Sequence, residues 1–108
     1  MEEFTVNEML QMQKTLQEKY KDSWGSLSPE KGKDQLLWML GEIGEVIDVI
    51  KKHGGKIVND TSELRDELIE ELADVLMYYN DILLCFNISS DELKNTYVEK
   101  FNKNMKRW

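Results

Sequence analysis

The sequence predicts an all-α fold, an antiparallel bundle of about four helices completed by association of copies of the chain. Three observations carry that prediction. Apolar residues recur three and four apart along most of the chain, helix-start signals open each periodic segment, and the connections between segments are short. With 108 residues, 41% of them hydrophobic and 32% charged, one domain spans residues 1–108. A domain this small buries only about two thirds of the surface its unfolded chain exposes, which makes a homo-oligomer the expectation.

Thr5 and Glu8 form a capping box for a first helix reaching about Lys21, with Phe4, Met9, Met12, Leu16 and Tyr20 as its buried stripe. A loop follows from Asp22 to Gly32. In it Ser28 stands as a cap before Pro29, a residue suited to a helix's first turn. The second helix runs to about His53, where Gly54-Gly55 stops it and Lys51, Lys52 and His53 suit the negative end of the helix dipole. Asp60 with Glu63 is read as the box that opens the third helix, which continues without Gly or Pro to about Phe86. Asn87 and Ser89 break it. Ser89 with Glu92 then starts a fourth helix carrying Leu93, Tyr97, Val98 and Phe101 towards the basic stretch Lys100 to Arg107.

Composition narrows the function. A formal charge of -7, from 21 acids and 14 bases, argues against a nucleic-acid polymer or an anionic membrane as the partner. No segment approaches the ~18 apolar residues of a membrane helix. Met1-Glu2-Glu3 has the wrong charge for the start of a leader, so a cytoplasmic location is expected. Cys85, the lone cysteine, lies in the apolar run from Ile82 to Phe86 and reads as a core thiol.

At about 100° per residue, the third helix gathers Leu64, Leu68, Leu72, Val75, Tyr79, Ile82, Leu83 and Phe86 on one face. Along one margin of that face lie Glu67, Glu71, Asp74 and Tyr78, with Glu71 nearest the apolar side and Glu70 pointing outward. The second helix has an apolar face of Leu36, Met39, Leu40, Ile43, Val46, Ile47 and Ile50. Its far side reads Trp38, Glu42, Glu45, Val49. Two acids bracketed by Trp and Val are unusual on a solvated surface, so something is expected to cover that side. Gly41 and Gly44 each cost about 1 kcal/mol inside a helix, which suggests that a helix or ligand approaches closely there. Two neighbouring helices that each present an acid-x-x-acid pair bring four carboxylates together. Their repulsion is relieved by a hard cation bound through oxygen, Mg²⁺ first, with Mn²⁺ as a substitute.

These residues resemble a known family. Leu40-Gly41-Glu42-Ile43-Gly44-Glu45-Val46, followed by the stretch Glu70 to Tyr78, looks like the acidic helix pair of the MazG-type all-α nucleoside triphosphate pyrophosphohydrolases. Glu42, Glu45, Glu71 and Asp74 match the Glu-x-x-Glu and Glu-x-x-Asp signature. The ending Lys100 to Arg107 is similar to the family's tail, with Lys100 and Asn104 at its phosphate-contacting places. The resemblance implies Mg²⁺-dependent hydrolysis of a nucleoside triphosphate to monophosphate and pyrophosphate, in the service of nucleotide-pool control. It implies metal ligation by the four acids, one of which orients the attacking water; Glu45 is the first candidate and any of the four is able to serve. Trp24 and Tyr78 are candidates for stacking on the base. Trp38 departs from the small residue expected at its place, and is read as a pocket wall or interface residue. The relatives are dimers or tetramers.

Three other readings compete. Phosphoribosyl-ATP pyrophosphohydrolases and dimeric dUTPases share a similar acidic helix pair. A helical di-iron protein needs Glu-x-x-His on two helices; His53 is the only histidine and residue 50 is Ile50, so that motif is absent. A non-enzymatic helical interaction module would use the Trp38 face for its partner.

Overall fold

The computed structural model describes residues 3–107. Met1 and Glu2, which entered the argument against a leader, lie outside the described residues. The order of elements is α1 (Val6–Lys19), α2 (Lys21–Trp24), a 3-10 turn (Pro29–Lys31), α3 (Gly32–His53), α4 (Gly55–Asp60), α5 (Ser62–Cys85) and α6 (Ser90–Arg107), with no strand among the described residues. The four long helices are those the periodicity predicts. The short α2 and α4 fall where the sequence reading had loop and capping residues, because one or two turns are too few for a 3.6-residue period to register.

The ends show which local signals act. Thr5 Oγ1 accepts from the Glu8 amide at 3.1 Å, but Glu8 does not return the bond, and its Oε2 is enclosed without a partner, so only half of that box forms. The Ser89–Glu92 box closes in both directions, at 3.1 and 3.2 Å. Ser28 is extended before Pro29 as expected, although its hydroxyl accepts no capping bond. Asp60 does not cap α5. It closes α4, where the Lys56 ammonium holds it at 2.7 Å, and Thr61 precedes α5 without a side-chain cap. At the far end of α5, Asn87 takes φ 54°, and the bonds Asn87 N–H to Leu84 C=O and Ile88 N–H to Leu83 C=O complete a Schellman motif.

Gly54 ends α3 at φ 85° and ψ 141°, and a Cβ built there would meet nothing within 4 Å. Gly54→Ala therefore adds backbone strain without a collision. It is expected to lower stability by about 1–3 kcal/mol, measured by urea titration, with the helical circular dichroism of the folded state unchanged.

α3 and α5 form the main pair. Gly32 at the start of α3 lies against the ring of Phe86 at the end of α5, and Glu42 meets Glu71 and Asp74 at mid-length, so the two run antiparallel. The residues of α3 withdrawn from solvent include Gly32, Gln35, Met39, Glu42, Val46, Val49 and His53, alternating three and four apart. The matching line on α5 is Leu64, Leu68, Glu71, Val75, Tyr78, Ile82 and Cys85. This is the spacing of a coiled-coil seam.

That seam corrects the sequence reading of α3. Of the side expected to lie away from the core, Val49 is buried and Glu42 half-buried in the seam with α5, while Trp38 and Glu45 stay exposed. Of the face expected as core, Met39, Ile43 and Val46 are half-buried as read, whereas Leu36, Leu40, Ile47 and Ile50 are exposed in the single chain. α3 thus carries two adjacent apolar lines, and a helical wheel ranks the more apolar one first regardless of which neighbour is present. A Cβ built at Gly41 or Gly44 would meet nothing within 4 Å, so the predicted close approach is absent there in one chain.

α1 lies along α5 through Leu10 and Gln13, both buried, with Met9 and Leu16 half-buried. Phe4, Met12 and Tyr20, expected inside, are exposed. The helix is rotated from its apolar stripe because Gln13 is drawn inward by a buried acid on α5. Among the described residues α6 meets only α1 of the other elements, and its Tyr97, Val98 and Phe101, expected as packing residues, are exposed. Cys85 is a buried free thiol, as the sequence suggested. No described helix is long and apolar enough to cross a membrane.

Candidate active site

Two seam positions of the α3–α5 pair carry acid where a coiled coil would carry leucine. Glu42 on α3 and Glu71 on α5 are both half-buried, and Asp74 lies one turn along from Glu71. One carboxylate oxygen from each of these three lies within 4.8 Å of the others. Glu45, one turn after Glu42, is exposed and outside that group, although its charge still reaches Glu71. Glu67 and Glu70 are exposed as well.

The electrostatics of the group are those of like charges held close together. Desolvation pushes the Glu71 carboxyl above its ordinary range, and the negative charges of Asp74, Glu42, Glu45 and Glu70 push it further in the same direction. The Tyr78 hydroxyl is raised too, by desolvation and then by Glu42, Asp81 and Asp74. A donor set made only of carboxylate oxygens, held close and carrying excess negative charge, fits a hard divalent cation.

Glu42 and Asp74 open onto a cavity of about 470 Å³. Trp24, Trp38 and Tyr78, the three aromatic residues singled out from the sequence, all line it. The Trp24 ring stacks on Tyr20, with centroids 4.7 Å apart, and about half of Trp24 remains exposed. Trp38 is more open, at 63% exposure, and walls the cavity beside Glu42.

The other end of the cavity was not foreseen. Asp81 is 3% exposed and Gln13 6%, and the Asp81 Oδ1 accepts two amide hydrogen bonds, from Gln13 Nε2 at 2.8 Å and from Gln17 Nε2 at 3.0 Å. Burial raises the Asp81 carboxyl, and the two amides pull it partly back. The step from Asp74 to Tyr78 to Asp81 continues the margin already traced on α5. Following it one further turn would have found Asp81, whereas Gln13 and Gln17 carry no apolar signal and were passed over.

Lys100 and Asn104 are not brought to this cavity within one chain. They lie on α6, which packs on α1, with Lys100 exposed and Asn104 half-buried. Within one chain the two residues therefore lie apart from the cavity.

Compared with models of protein families, residues 31–107 match the one described as the MazG nucleotide pyrophosphohydrolase domain. No curated protein and no solved structure matches the chain significantly.

Proposed function

The chain belongs to the MazG nucleotide pyrophosphohydrolase family, and on that premise we propose that it hydrolyses a nucleoside triphosphate to monophosphate and pyrophosphate with the help of Mg²⁺. The observation that supports this reading most directly is the convergence of Glu42, Glu71 and Asp74, two of which, Glu42 and Asp74, line a cavity together with Trp24, Trp38 and Tyr78. Glu42, Glu71 and Asp74 would hold the ions, with Glu45 as the fourth ligand or, being least engaged, as the group that orients the attacking water. Bound divalent ions supply neutralisation of phosphate charge and a water of lowered pKa. Trp24 and Tyr78 offer stacking faces to the base, and Trp38 narrows the entrance.

Lys100 and Asn104 enter this proposal through assembly. The exposed line Leu36, Leu40 and Ile47 on α3 and the exposed Tyr97, Val98 and Phe101 on α6 are suited to a second copy of the chain. A homodimer or homotetramer that covers them is the setting in which α6 reaches a triphosphate and its cationic side chain stabilises the leaving pyrophosphate.

Product analysis tests the reaction. Phosphorus NMR of a nucleoside triphosphate incubated with the protein and Mg²⁺ is expected to show pyrophosphate and the monophosphate growing together. Orthophosphate with the diphosphate would instead mean cleavage at the terminal phosphate and would overturn this assignment. A panel of deoxynucleoside and ribonucleoside triphosphates with phosphoribosyl-ATP separates the sister activities.

A further inference from the structure

The far end of the cavity presents a defined set of unpaired acceptors. Asp81 Oδ1 already takes both glutamine amides, while Oδ2 takes no hydrogen bond among the described residues. The two carboxamides cannot turn over without placing oxygen against that carboxylate, so each holds its nitrogen on Asp81 and keeps its Oε1 free. Side-chain polar atoms sealed away without a partner are found at Glu8 and Asn80, not at Asp81 or Gln13. Both Asp81 and Gln13 line the cavity, which leaves Asp81 Oδ2 and Gln13 Oε1 open to a ligand there.

Acceptors grouped around one anionic oxygen call for a group with two N–H donors and no acceptor of its own. Asp81 stands seven residues beyond Asp74 on α5, about 10 Å along the helix, on the wall of the same cavity. That offset suits a nucleotide whose phosphates lie at Glu42 and Asp74 and whose base edge lies at Asp81.

Resting on the nucleotide reading above, we propose that Asp81, with Gln13 and Gln17 held on it, is the base-reading end of the cavity, selecting bases with an exocyclic amino group, such as cytosine and adenine, over uracil and hypoxanthine. An amino group donates to Asp81 Oδ2 and Gln13 Oε1 together. A carbonyl in its place sets oxygen against both and leaves Asp81 Oδ2 without a donor.

Calorimetric titration of the full chain with α,β-imido analogues in the presence of Ca²⁺ tests this without turnover. The dCTP analogue is expected to bind about 10–100-fold more tightly than the dUTP analogue, and the ATP analogue more tightly than the ITP analogue by a similar factor. Asp81→Asn, which turns a donor towards the cavity when its oxygen keeps the glutamines, is expected to erase or reverse both preferences. The unmodified chain carries the test even if that variant fails to fold. Equal binding within each pair, preference for the carbonyl member, or no binding of any analogue overturns the inference. Preference in binding without any hydrolysis of the natural triphosphates supports the base-reading end and strikes the proposed reaction alone.

Discussion

Glu42→Gln and Asp74→Asn are each expected to reduce turnover by about 10³-fold or more, with little change in helical circular dichroism. Each substitution keeps the size of the side chain and removes a charge from the group that would hold the ions. On the proposed reading several kcal/mol of transition-state charge stabilisation would depend on ions held in that place, and each 1.36 kcal/mol is a factor of about ten in rate. The fold does not depend on these charges, since the surrounding seam is apolar at Leu64, Leu68, Val75 and Ile82. Initial rates by pyrophosphate release, measured beside far-ultraviolet spectra, check both halves. A Glu42→Gln variant of full activity would remove the acidic group from the reaction.

The second large effect is on stability. Removing divalent ions with EDTA is expected to lower the melting temperature, and Mg²⁺ at 100 times its dissociation constant should restore about 2.7 kcal/mol. Glu71→Gln separates the causes. Its carboxyl is raised by desolvation and by Asp74, Glu42 and Glu45, so it is in conflict with its surroundings whenever it is ionised without a cation. The variant should melt higher than the parent in EDTA and respond less to Mg²⁺. A parent protein whose melting curve ignores both additions would speak against ion binding at this seam.

Much of the fold is legible in the sequence where a signal is local and strong. The reciprocal Ser89–Glu92 box, the Gly54 stop and the positions of the four long helices depend on neighbours within one turn, and the structure places them as expected. The sequence misleads where packing has a choice. α3 has two apolar lines that share Met39 and Val46, and α5 covers the one with Glu42 in it, leaving Leu36, Leu40 and Ile47 of the more apolar face exposed. For the same reason Gln13 lies inside while Met12 lies outside: a hydrogen bond to a buried acid decides the rotation of α1, and that acid is 68 residues away.

The candidate site divides along the same boundary. Glu71, Asp74 and Tyr78 follow from the pitch of a single helix, and Glu42 joins them through pairing of α3 with α5. Lys100 and Asn104 match a motif, but a motif has no information about where α6 lies relative to the cavity, and within one chain it lies on α1.

Acid at two seam positions also bears on how sturdy this molecule is able to become. A protein engineer seeking heat resistance would put leucine at 42 and 71, closing the acidic gap in the middle of the zipper and gaining rigidity at once. The resulting rod pair would be tougher and, on the proposed reading, inert. Natural variation is therefore expected to reinforce the molecule elsewhere, in its caps, turns and outer faces, while the weakest rung of the ladder is left as it stands.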